Sequence, residues 1–180
     1  MISAFSEARA RTFLWLIFLA TAAAGQSAMP TIEGESFANQ KIILPDAAKG
    51  KLAVLVFGFT KASKTPAVAW ANKVQSEFGT RSGFEFYELP VLEDVPRFVR
   101  GMVISSIKKG VPESMRAHFM PILQHEAELK KLVNYQEPDD AYLVVLDASG
   151  QIVAQRHGQF SDTAYTQFRN EIESLLVQQK

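Results

Sequence analysis

The chain has 180 residues, no cysteine, and 19 Lys+Arg against 19 Asp+Glu. Balanced charge excludes the clustered basic surplus of a nucleic-acid binder, and 47% hydrophobic residues with 13 Phe exclude global disorder. The missing thiols exclude disulfides, thiolate nucleophiles, Cys-ligated zinc, iron–sulfur clusters and thiol-linked lipid anchors.

Residues 1–24 read as a cleaved secretory signal, which leaves 25–180 as a single domain. Arg9 and Arg11 form a positive start, Phe13 to Leu19 open an apolar stretch, and Ala22-Ala23-Ala24 offers a small-x-small cleavage site. Roughly a dozen apolar residues fall short of the about 20 that a spanning helix needs. The expected destination is the periplasm or the outside of the cell.

Ile32 to Gly50 predicts a leader with strand fragments such as Lys41–Leu44 and a turn at Pro45-Asp46. Leu52 to Phe59 is a continuous apolar run, as expected of a strand buried on both faces. After a polar loop, Thr65-Pro66 predicts an N-cap and first helical residue, with Ala67, Trp70, Ala71, Val74 and Phe78 on one face and Gly79 at the end. Phe84–Leu89 predicts a second strand, closed by Pro90. A helix from Pro96 carries the stripe Phe98, Val99, Met102, Val103 and breaks at Gly110 and Pro112. Shorter helical pieces are expected around 113–120 and 123–133. Tyr142–Leu146, the turn Asp147-Ala148-Ser149-Gly150 and Gln151–Gln155 predict a hairpin, and Ser161 caps a last helix with Tyr165, Phe168, Ile172, Leu175 and Leu176 on one face.

The order β-α-β-α-β-β-α, with a β leader, predicts an α/β fold. It has a central mixed sheet, helices on both faces, and a helical insertion before the C-terminal hairpin. With Leu55-Val56-Phe57-Gly58-Phe59-Thr60, the chain resembles the thioredoxin-like superfamily; Leu44-Pro45-Asp46 with Gly50-Lys51 is similar to the leader of its exported members. That resemblance implies a Cys-x-x-Cys at a helix N-terminus and a cis-proline before the third core strand. Here the first segment reads Ser63-Lys64-Thr65-Pro66, and Pro138 stands too early for the second. Thiol–disulfide exchange and peroxide reduction are excluded, since each needs a thiolate.

A second resemblance is to the mitochondrial ATP synthase assembly factors, themselves thioredoxin-like. It rests on Val103-Ile104-Ser105-Ser106-Ile107-Lys108-Lys109-Gly110-Val111-Pro112-Glu113 and on Ala141-Tyr142-Leu143-Val144-Val145-Leu146-Asp147 with Gly150. It implies a role in assembling a membrane complex.

Three regions are candidate sites. The Thr60–Pro66 loop offers Lys61, Ser63, Lys64 and Thr65 to an anion at a helix N-terminus; the simpler reading is a hydroxyl cap with solvated lysines. Ser63 has no base in the sequence to activate it. The superfamily resemblance implies a peptide groove between this loop and Ala141 and Tyr142, with strand addition beside the third core strand. The basic residues Arg97, Arg100, Lys108 and Lys109 border the Phe98/Val99/Met102/Val103 stripe. Their simpler reading has the stripe packed on the sheet; the functional one makes it the docking face for a partner helix or a membrane surface. His118, His125 and His157 with Met115 and Met120 raise the idea of a copper site, but scattered surface histidines are the default. No metal or cofactor is expected, and the acidic pairs Glu93-Asp94 and Asp139-Asp140 are given no general-base role.

The expected function is a redox-inactive, exported binding protein, an accessory or assembly factor for another envelope protein. A small-molecule or metal-ion handling protein using the vacant loop is the alternative.

Overall fold

A run without polar side chains, such as Leu52–Gly58, is stable only where both its faces are covered. The computed structural model, which describes residues 28–178, buries all of that run inside a sheet. In chain order the elements are β1 (Ile32–Glu35), β2 (Lys41–Leu44), β3 (Leu52–Gly58), α1 (Lys64–Phe78), β4 (Phe84–Pro90), α2 (Arg97–Gly110), α3 (Glu126–Leu132), β5 (Ala141–Leu146), β6 (Ile152–Gly158) and α4 (Asp162–Gln178). Short 3₁₀ turns occupy Asp46–Ala48 and Glu113–His118. The secretory signal expected over residues 1–24 lies outside the described residues, among which no helix is long and apolar enough to cross a membrane.

The main sheet has the order β4-β3-β5-β6, with β3 and β4 parallel and the other pairs antiparallel. β1 and β2 form a separate antiparallel pair. Side-chain alternation then divides the core. Val54, Val56, Phe84, Phe86, Leu143 and Val145 face α1 and α4, while Leu55, Phe57, Leu89, Val144 and Leu146 face the β1–β2 pair and α3. Helices thus cover both faces, as the element order requires.

The α1 face is the one the spacing predicts: Ala67, Trp70, Ala71, Val74 and Phe78 are all buried. The helix begins earlier than Thr65, however, with Ser63 at the N-cap position and Pro66 as its third residue. A proline in the first turn is tolerated because the N–H it lacks would have had no intrahelical partner. At the far end of the chain, the Ser161 hydroxyl accepts the Ala164 N–H at 3.2 Å and caps α4 as expected. The 147–150 turn closes through Asp147 Oδ1, which accepts the Ser149 and Gln151 N–H groups, with Gly150 at φ +83°.

The segment between β4 and β5 departs most from expectation. Its residues 119–122 run alongside β4 in parallel: the Met120 N–H donates to the Glu88 carbonyl and the Ile122 N–H to that of Pro90. The free edge of β4 is thereby covered over its C-terminal end. α2 has no fully buried residue and belongs to neither face of the core. Phe98 is 89% exposed and Met102 70%, so the expectation that this stripe packs on the sheet is corrected. Successive helical residues turn by about 100°, which points the Phe98–Met102 ridge well away from Val103 and Ile107. Only the latter pair turns toward the protein.

Candidate functional site

β3 ends at Gly58, where the chain must turn sharply into α1. A Cβ at Gly58 would stand 3.1 Å from Ser63 Oγ, so a glycine lets the turn fold back on the strand. The turn closes on itself. The Thr60 N–H donates to Ser63 Oγ (3.0 Å), the Ser63 N–H to Thr60 Oγ1 (3.1 Å), and the Ser63 hydroxyl to the Thr60 carbonyl (2.9 Å). Ser63 is 0% exposed. It is a structural pin of the turn, with its hydroxyl committed and out of reach of a substrate. Lys61, Lys64 and Thr65 are exposed.

The Thr60 hydroxyl reaches across to the Pro138 carbonyl at 2.9 Å, tying the loop to the segment before β5. Ala141 and Tyr142, expected on the groove wall, are 0% and 1% exposed. Their strand is interior, paired with β3 on one side and β6 on the other, and so has no edge for strand addition. The Tyr142 hydroxyl accepts the Gln136 and Glu137 N–H groups and donates to the Glu137 carbonyl. Both residues are core, which corrects their expected place on a binding surface. The one cis peptide bond among the described residues is Leu44–Pro45, far in sequence from Pro138.

What opens at this end of the fold is a cavity of about 650 Å³ between the Thr60–Lys64 turn, the end of β4 and α2. Its walls are mostly aliphatic, with Val68, Val91, Val103, Ile107, Val111 and Met115 among them. Its charged lining residues are Lys61 and Lys64 from the turn and Glu88 from β4. Glu88 has the parity of Phe84 and Phe86, which face α1. It is 7% exposed, and among the described residues its carboxylate accepts no hydrogen bond and joins no ion pair. Burial pushes the carboxyl up to about 7, against the opposing pull of Lys64. Sequence reasoning missed this residue. The available signal was its alternation with Phe84 and Phe86, masked because Tyr87 and Leu89 are apolar too.

The four basic candidates separate. Arg100 is tied to its own helix entry, donating to the carbonyls of Val95 (2.9 Å) and Glu93 (2.6 Å). Lys108 lies over the Phe37 ring, 5.7 Å from its centroid, and reaches Asn39 Oδ1 at 3.4 Å. Arg97 and Lys109 are exposed and form no ion pair among the described residues. The histidines do not meet. His118 stacks on Phe86 and contacts Glu85, His125 contacts Glu128, and His157 stacks on Tyr142 and contacts Asp140. Among the described residues no three His, Asp or Glu side chains gather in a metal-holding group. The acidic pairs are engaged within the fold: the Glu93 carboxylate accepts the Glu126 N–H at 2.7 Å, and the Asp140 carboxylate contacts His157 and accepts from the Gln159 side-chain amide at 3.1 Å.

Solved structures share this architecture. A candidate thiol:disulfide interchange protein DsbE from Chlorobium tepidum aligns at TM-score 0.59 and 16% identity, over 84% of this chain and 96% of that one. BsSco, of the Sco family of cytochrome c oxidase assembly proteins, aligns at 0.58 and 11%, over 83% and 94%. The pneumococcal exposed lipoprotein thioredoxin Etrx1 aligns at 0.56 and 14%, over 79% and 99%. The fold is thioredoxin-like. Neither a protein-family model nor a curated protein matches the chain. With no cysteine anywhere in the sequence, this thioredoxin-like chain cannot perform thiol–disulfide exchange. The turn at the start of α1 holds neither a thiol nor a free hydroxyl–base pair.

Proposed function

We propose that this protein is an exported, thiol-free binding protein of the cell envelope, an accessory or assembly factor for another envelope protein, with no catalytic residue of its own. The observation that carries the reading is the unpartnered face of α2. Exposed Phe98 and Met102, beside exposed Arg97 and Lys109, form an apolar ridge with a basic border on a helix that contributes no fully buried residue. Large apolar side chains adjoining on one ridge are a feature of interaction surfaces.

Three further features support it. One neighbour in fold is named as belonging to a family of oxidase assembly proteins, and another as an exposed lipoprotein. Two stretches resemble the ATP synthase assembly factors, Val103–Glu113 on and after α2 and Ala141–Asp147 in and just after β5. The signal-like residues 1–24 fit a periplasmic or secreted location. Arg97 and Lys109 suit an acidic rim on a protein partner, and the same ridge suits peripheral contact with an anionic membrane.

The test is affinity capture of the tagged protein from the host envelope, comparing wild type with the double variant R97E/K109E. Loss of a stoichiometric partner from a folded, exported variant supports the reading. Capture that is unchanged, or that never exceeds a tag-only control, refutes it.

A second reading, favoured by the cavity, is that the same end of the fold handles a small molecule. The volume of about 650 Å³ falls within the ~300–1,000 Å³ usual for such sites.

A further inference from the structure

A carboxylate removed from water is stable only if something replaces the water it lost. Glu88 is largely withdrawn from solvent and meets water only through the cavity, and no group among the described residues replaces what it lost. It is 7% exposed, lines the cavity, and accepts no hydrogen bond among the described residues. Other buried or half-buried acids nearby are satisfied. Glu126 pairs with Lys130 at 2.5 Å and accepts the Asp94 N–H, and Glu85 pairs with Lys51 at 2.7 Å. Glu88 is the exception.

The space around it has a definite chemistry. Val68, Val91, Val103, Ile107 and Val111 make walls that favour hydrocarbon. The remaining charges on the lining, Lys61 and Lys64, sit on the exposed turn at the start of α1. Lys64 stands within electrostatic influence of Glu88 yet makes no ion pair with it. Solvated ammonium groups gain little from an anion that must give up its own water, because the interaction is screened. The Glu88 carboxylate lies deeper, and of the partners that could reach it through the cavity a donor bearing positive charge pairs with it most strongly.

Resting on the small-molecule reading above, we infer that this cavity is a binding site for a small apolar amine. Its hydrocarbon part lies against Val68 of α1, Val103 and Ile107 of α2, and Val91 and Val111 just after β4 and α2, and its protonated nitrogen pairs with Glu88. The pairing replaces the missing hydrogen bonds and neutralises the buried charge, while the two lysines at the turn disfavour a second cationic group on the ligand. Burial holds the Glu88 carboxyl up at about 7 in the free protein. An amine that binds the carboxylate form must therefore drive a proton off at neutral pH.

The test titrates the folded protein with three probes of equal chain length, octylammonium, 1-octanol and octanoate, by isothermal calorimetry at pH 8 and pH 5.5. The expected order is octylammonium tightest, octanol weaker and octanoate weakest. Octylammonium affinity should fall on the order of tenfold from pH 8 to pH 5.5, as Glu88 takes up its proton. E88Q should bring octylammonium down to the level of octanol and leave octanol unchanged. The variant I107W, filling the cavity from α2, should weaken all three; circular dichroism confirms that both variants fold. Octanoate binding tightest would overturn the amine assignment while sustaining the small-molecule reading. An E88Q variant that keeps the ammonium preference would do the same. No binding by any probe to the folded protein would end both.

Discussion

Helices α1 and α2 are nearly equal in length, 15 and 14 residues, and both carry apolar residues at helical spacing. Their fates are opposite. α1 buries six residues and lays Trp70 among Phe160, Tyr165 and Phe168, whereas α2 buries none and turns Phe98 and Met102 to solvent. The difference lies in what each is offered. α1 connects two parallel neighbours of one sheet, and such a crossover must pack back across that sheet. α2 follows the sheet's edge strand β4, within a segment that must also return to cover that edge, and it hangs over a cavity. Amphipathic spacing therefore identifies a face that wants company, and the connection decides whether the chain itself supplies it.

The sharpest way to break this contrast is to truncate matched aromatic residues. Trp70→Ala should cost about 3–5 kcal/mol through lost burial and the cavity left behind, while Phe98→Ala should stay within about 0.5 kcal/mol. Urea unfolding of the two variants checks both. A large loss at Phe98 would mean that α2 is core after all.

A second prediction concerns the cavity that separates the helices. The Glu88 carboxyl is raised from 4.5 to about 7, so the stability it confers is fully present below about pH 4.5 and is lost as pH rises through about 7. Across that interval the folded state should weaken by up to roughly 3 kcal/mol. E88Q should flatten the slope, as measured by chemical unfolding at several pH values. Glu85, on the same strand, supplies the opposite sign. Burial alone would raise its carboxyl, but hydrogen bonds from His118 and Lys51 prevail and hold it at about 2. Its contribution is present above about pH 4.5 and is lost as pH falls through about 2. Because Lys51 is part-exposed, Glu85→Gln should cost only roughly 1–2 kcal/mol at neutral pH.

The smallest effect on stability is expected at the ridge itself. F98D/M102D should leave the unfolding midpoint within about 0.5 kcal/mol of wild type and yet remove partner capture. That separation of folding from binding is what an interaction face predicts and a packing face forbids.

These contrasts also mark what could be read from residues alone. β3 was legible because a strand covered on both faces has no polar position to obscure it, and α1 and α4 because each has one stripe facing one sheet. α2 was not, because its apolar residues span two directions: Val103 and Ile107 turn inward while Phe98 and Met102 do not. Ser63 carries a hydroxyl at a helix start, as either a cap or a ligand group would; only the reciprocal bonds with Thr60 identify it as a pin of the turn. Ala141 and Tyr142 were expected at a groove because of the resemblance, and pairing of β5 on both sides puts them in the core. Glu88 escaped notice because a single acid in a strand with apolar neighbours on both faces reads as an exposed position. Its cavity is assembled from segments distant in sequence.

The most direct test of α2 as the protein's interaction face is site-specific photo-cross-linking in the intact host, with a photoreactive residue at Phe98 on α2 or at exposed Gln167 on α4. One envelope protein cross-linked from position 98 and absent from position 167 is the predicted result. Identical patterns from both positions, or none from 98 in a folded and exported protein, would contradict it.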